Sequence, residues 1–212
     1  DIKMKMKTLA MTAAIAALAC SAVQAQTAAS SFQGFSLGLN AGMISSTTEI
    51  TSGTNVVDGL GHTSAVGSLQ GAYSWAAGDR GVLSVGATYN LNDVDGGELR
   101  TTAGVRTALY KARDAYSVYF EPGYLLTDKT LAFATLGYEA ATARAEDGAG
   151  VVVKQDIQGA GYGFGLRTML DKNLYVQVAV KQVYYDSERF PGDTADFKTR
   201  ATLGSVGVGY KF

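Results

Sequence analysis

Four ionisable residues, Glu121, Glu139, Arg167 and Lys181, each sit in a run where apolar residues recur at every second position, and each takes the opposite parity. If those runs are strands, the four side chains lie on the face away from the apolar one. Two carboxylates and two cations gathered out of water must compensate one another, because an unpaired buried charge is costly. The expectation is a compensated network that fills an interior; its functional version would gate a narrow water path. His62-Thr63-Ser64 offers different chemistry, since a base and a hydroxyl at alternate positions share one strand face, as an activated nucleophile requires. The sequence places no acid to orient the imidazole, so His62 reads as a solvated rim residue and the chain as not an enzyme. One His and one Cys, Cys20, leave no multi-cysteine metal site, no internal disulfide framework and little zinc chemistry; no metal or cofactor is expected.

The elements that hold these residues are strands. Phe35, Leu37, Leu39, Ala41 and Met43 alternate with small or polar residues, as do Leu69, Gly71, Tyr73 and Trp75, and again Leu83, Val85, Ala87 and Tyr89. Leu174, Val176, Val178 and Val180 alternate with Tyr175, Gln177, Ala179 and Lys181; wound as a helix, this run would mix valine with Gln177 and Lys181 on one stripe. The 212 residues are 47% hydrophobic and 17% charged, with 26 Gly and 2 Pro, which excludes disorder, collagen and coiled coil. Eighteen Lys and Arg against nineteen Asp and Glu leave a formal charge of -1, so no nucleic-acid partner is expected.

Both ends of the chain are informative. Lys3, Lys5 and Lys7 precede an apolar run from Leu9 to Ala19 and the small-x-small site Val23-Gln24-Ala25, the pattern of a secretory signal peptide over residues 1–25. Residues 1–3 precede Met4 and read as upstream residues, and Cys20 as an apolar residue of the discarded peptide. A short segment, 26–33, leads into a body at 34–212. The final residues place Val206, Val208, Tyr210 and Phe212 on one face of a closing strand.

Short links at Ala76–Gly81, Thr127–Thr130 and Leu170–Asn173 carry Asp79-Arg80, Asp128-Lys129 and Asp171-Lys172 and read as turns on one side. Longer links, at Ser45–His62, Asn92–Ala115, Arg144–Lys154 and Asp186–Lys198, alternate with them. Thr101–Leu109 also looks strand-like, but an even strand count assigns it to an extended second loop, as a hairpin, and leaves eight strands. Outward Tyr73, Trp75, Tyr124, Tyr210 and Phe212 fall near the short turns, and Tyr89, Tyr116, Tyr138 and Tyr184 fall about eight to ten residues away, close to the span of a tilted membrane strand. Two aromatic girdles on one face are the mark of an antiparallel barrel in a bilayer. A soluble barrel would instead turn its Gly-, Ser- and Thr-rich face to solvent. Pro122 has no N–H to donate, and a bulge beside Glu121 is expected there.

The run YSVYFEPGYLLTDKTLAFATLGY from Tyr116 to Tyr138, together with Gly161-Tyr162-Gly163-Phe164-Gly165-Leu166 and Gly209-Tyr210-Lys211-Phe212, resembles the small outer-membrane β-barrel family of opacity-type proteins and outer membrane protein A-like transmembrane domains. The resemblance covers the chain from about Gly34. It implies an all-β, eight-stranded, up-and-down barrel in the Gram-negative outer membrane, without a cofactor, and a last strand read by the barrel-assembly machinery. It also implies a structural, surface-interaction or adhesion role through the outer loops and no general porin activity. The alternatives in such barrels are a narrow gated pore or a lipid A-modifying enzyme. His62-x-Ser64 resembles the His-x-Ser of lipid A deacylases, but opens the second strand here instead of lying late in the chain. Because no peptidoglycan-binding domain follows Phe212, no cell-wall anchoring is expected. A monomer is expected, with lipids and lipopolysaccharide as partners. The acidic loop residues, among them Asp93, Asp95 and Glu146, interleave with Arg100, Arg106, Arg113, Lys154, Arg189 and Lys198, and such rims can meet lipopolysaccharide phosphates or a host or surface ligand.

Overall fold

The computed structural model describes residues 28–52, 55–100, 106–147, 152–186 and 196–212. A short 3-10 helix, Ala28–Phe32, precedes β1 (Gly34–Ser52), β2 (Asn55–Ala77), β3 (Gly81–Asn90), β4 (Val94–Arg100), β5 (Arg106–Thr127), β6 (Thr130–Asp147), β7 (Val152–Met169), β8 (Leu174–Tyr185) and β9 (Asp196–Lys211). All neighbouring strands are antiparallel, in the order β3-β2-β1-β9-β8-β7-β6-β5-β4, and a β3–β5 ladder closes the sheet on itself. β3 and β4 both pair with β5, and they are two lengths of one stave, interrupted at Leu91–Asp93. The break is bridged by the Leu91 amide, which donates to the Gly67 carbonyl, and by Ser64, whose hydroxyl donates to the Asp95 carbonyl and accepts from its amide. The barrel therefore has eight staves.

Alternation decides which way each side chain points. Leu37, Val85, Phe120, Val178 and Val208 are exposed on the outside, whereas Ser36, Ser84, Ser117, Tyr119 and Gln177 are buried inside. In a closed antiparallel barrel every backbone polar group finds a partner in the wall, the condition for crossing hydrocarbon. Glycines on the inner face make room for long side chains: a Cβ at Gly209 would overlap the Tyr175 ring, and one at Gly161 would crowd Glu139.

Three expectations are corrected. The links Ser45–His62 and Arg144–Lys154 are not loops for most of their length, because the β1–β2 ladder runs on to Ser52↔Asn55 and the β6–β7 ladder to Glu146↔Val152. Thr101–Leu109 does belong to a hairpin, formed by β4 and β5, but its Arg106–Leu109 arm is also wall, since Leu109 pairs with Glu146 of β6 as well as with Glu98. Residues 101–105 lie outside the described residues. No bulge sits at Pro122. Pairs Phe120↔Leu136 and Gly123↔Phe133 keep one register across it, so the missing donor interrupts the ladder without shifting it. The β5–β6 ladder shifts register elsewhere, between Leu125 and Thr127 and between Arg113 and Tyr116, and at the latter Asp114 takes a φ of 50°, a left-handed conformation that Asp tolerates better than most residues.

Candidate functional site

The lumen is built in layers. At the end marked by the short turns, Ala29 and Phe32 of the 3-10 helix are 0% and 4% exposed, packed in a cluster with Val82, Leu125, Leu131, Met169 and Tyr175. These five come from five different strands, and together with the helix they form an apolar floor. Sequence reasoning gave segment 26–33 no role. A single helical turn has no periodicity to betray its burial.

Above the floor lies the first ion pair, Arg167 Nη2 to Glu121 Oε1 at 3.4 Å, both side chains 4% exposed. The Arg167 guanidinium lies between the rings of Phe133 and Tyr175, 5.0 and 5.1 Å from their centroids, a placement that favours a desolvated cation. Its Nε donates to Gln177 Oε1 at 2.9 Å. Gln177 Nε2 in turn donates to Asn40 Oδ1 at 2.8 Å and Gln70 Oε1 at 2.7 Å, and Gln70 Nε2 donates to the Tyr119 hydroxyl at 2.6 Å. The second ion pair joins Lys181 Nζ to both oxygens of Glu139, at 2.8 and 2.9 Å. The four charges thus meet as two pairs, with an amide chain running from Arg167 across the barrel. Asn40, Gln70, Tyr119 and Gln177 escaped the sequence reading, although their parity was the available signal. Toward the outer end, buried Val66, Val94, Ala141, Val183 and Ala201 supply apolar side chains again.

On the outside, the aromatic residues fall at two levels. Near the short turns, Tyr73 packs edge-on to Trp75 at 5.0 Å, and Phe212 lies 5.1 Å from Tyr210 and 5.8 Å from Phe35. Tyr124 is exposed at the same end, its Cα opposite Gly81. At the other level Tyr89 and Tyr116 are direct cross-strand partners, Tyr138 donates to Gln158 Oε1, and Tyr184 stacks on Tyr162 at 5.9 Å. Val206, Val208, Tyr210 and Phe212 all face outward. His62 is exposed, and the hydroxyl of Ser64 is engaged by the Asp95 backbone.

A closed barrel with a polar, filled inside and an apolar outer belt bounded by two aromatic rings defines an integral membrane protein that crosses the bilayer with strands. The chain belongs to the outer membrane protein beta-barrel domain family, whose model matches residues 13–212. It is an integral protein of the bacterial outer membrane. Its sequence matches none of the curated proteins. Among solved structures, it is similar to the outer membrane protein OprG from Pseudomonas aeruginosa, at 14% identity over 88% of this chain and 99% of that one, with a TM-score of 0.48. It is also similar to Ail, the attachment invasion locus protein of Yersinia pestis, in complex with the heparin analogue sucrose octasulfate (15% identity, 85% and 99% covered, TM-score 0.47). A third likeness is to the outer membrane protease OmpT from Escherichia coli (10% identity, 85% and 97% covered, TM-score 0.47).

Proposed function

We propose that this barrel works at its outer end, as a structural and surface-interaction protein with an adhesive capacity in its extracellular part, and that it is neither a general porin nor an enzyme. The filled lumen carries this reading. An apolar floor, two ion pairs with their amide chain, and an outer apolar layer occupy the bore of eight strands, whose interior is just wide enough for side chains. What remains available for partners is the wall that rises beyond the outer tyrosines and the hairpin of β4 and β5. For catalysis, the only nucleophile-base pair suggested by sequence has its hydroxyl committed to the Asp95 backbone.

Purified protein in planar bilayers tests the reading. The expected result is the absence of steady nanosiemens conductance, and such conductance would overturn it. Lys181→Ala leaves Glu139 without its partner and should raise brief, small currents or lower the unfolding midpoint. Lipid A recovered from expressing cells should keep its acylation, whereas loss of an acyl chain that depends on Ser64 would establish an enzyme.

A further inference from the structure

The apolar floor is a layer of the lumen that does not belong wholly to the wall. Among the described residues, Ala28–Phe32 is the only helical element, and it joins no ladder of the sheet. The wall closes without it. β1 begins at Gly34, pairs with β2 from Gly34↔Ser74 and with β9 from Ser36↔Lys211, and the Phe212 amide donates to the Phe35 carbonyl. What seats the segment is the packing of Ala29 and Phe32 against Val82, Leu125, Leu131, Met169 and Tyr175.

The chain passes from this segment into the wall through Gly34. Its φ of 120° lies in a region that side chains rarely adopt, and a Cβ there would stand 3.1 Å from the Phe212 carbonyl oxygen. A glycine at this joint takes a turn that other residues resist, and is free to take others.

Directly behind the seat lies a polar layer. One inward position above Val82, Met169 and Tyr175 come Ser84, Arg167 and Gln177, all buried. Tyr175 belongs to both layers, since its ring packs in the floor and lies 5.1 Å from the Arg167 guanidinium. Glu121 meets Arg167 through Oε1, whereas its buried Oε2 has no donor among the described residues. A buried carboxylate oxygen needs a donor, and the floor stands between this one and the solvent at the short-turn end.

We propose that Ala28–Phe32 is a hinged stopper, which turns about Gly34 and opens the short-turn end of the lumen as far as the Arg167–Glu121 layer while the wall stays closed. In an outer-membrane barrel that end faces the periplasm. Burial of one Phe and one Ala keeps the closed form dominant and leaves the open form at roughly one molecule in ten to one in a hundred. Opening admits water and small solutes to a vestibule lined by Val82, Leu125 and Leu131. The ion-pair layer remains the barrier, so the stopper controls hydration of the lower ion pair and not a path through the barrel.

The test places single cysteines in the full chain in a Cys20→Ala background: Val82→Cys in the seat and Ser117→Cys higher in the lumen, both at buried positions. Alkylation by a small maleimide is timed in folded protein in detergent, with heat-modifiable gel mobility confirming closure. Adding Phe32→Ala should speed the reaction at Val82→Cys by about tenfold or more and leave Ser117→Cys at its slower rate. Gly34→Ala strains the seated turn without removing a floor contact, and should speed Val82→Cys as well. One common rate at the two cysteines in every variant would mean that only global unfolding exposes them, and would overturn the stopper. So would a Val82→Cys rate that Phe32→Ala does not move. In planar bilayers Phe32→Ala should carry no more current than wild type; steady conductance in this variant alone would make the floor itself the barrier and overturn the vestibule, leaving the wild-type result to decide the proposed function. If Gly34→Ala fails to close, Phe32→Ala still decides.

Discussion

The wall below the outer tyrosines and the wall above them are one continuous ladder, yet their side chains obey different rules. In β1, Phe35 to Met43 present an exposed apolar residue at every second position, while Ser45, Ser46, Thr47 and Thr48 continue the same hydrogen-bonded register with polar residues on both faces. Backbone pairing is therefore indifferent to the solvent outside, and only the outward side chains record where lipid ends. Strands of up to 23 residues are far longer than a bilayer requires, and the surplus continues the paired wall beyond the outer tyrosines.

The same substitution at two heights would break this comparison most forcefully. Val178, midway along β8, and Val152, opposite Glu146 on β7, both point outward, 49% and 37% exposed. Val178→Arg should cost about 2–4 kcal/mol of stability in lipid, and Val152→Arg about 0–1 kcal/mol, with Glu146 across the ladder as an ion-pair partner. Equal costs in a reversible unfolding titration into vesicles would mean that the lipid boundary is misplaced.

How much could be read beforehand follows the same division. Where lipid lies outside, alternation exposed the strands, their facing, the two aromatic levels and the inward Glu121, Glu139, Arg167 and Lys181. Above that boundary the signal faded, and paired strand such as Thr47↔Gly61 read as loop because no run of alternating apolar residues marked a face. The floor was illegible for another reason. Phe32 is buried by residues drawn from five strands, and no local pattern around Ala28–Phe32 announces such a tertiary fit.

A spin-label pair sharpens the comparison further. A label at Val178 should respond to an apolar relaxant and one at Gln177 should not, whereas labels at Val152 and Asp156 should both prefer a water-soluble relaxant. Similar apolar accessibility at Val178 and Gln177 would contradict the assignment of faces.

The smallest effect concerns Phe212. Phe212→Ala removes its contacts with Tyr210 and Phe35 and should cost about 1 kcal/mol in detergent refolding. If the last strand serves as a signal for assembly, insertion in cells should fall much more than that. Equal, modest losses in both assays would reduce Phe212 to one contact among several in the lower ring.

The apolar floor also carries an expectation about order in time. Phe32 precedes every strand in the chain, but its seat is assembled from β3, β5, β6, β7 and β8, and the wall closes only when β9 pairs with β1. The Phe212 amide then donates to the Phe35 carbonyl, three residues from Phe32. Contacts of such sequence separation form slowly. The earliest segment in the chain is thus expected to settle only after β3 and β5 to β8 have come together, and the onset of protease protection at Ala28–Phe32 would time that step.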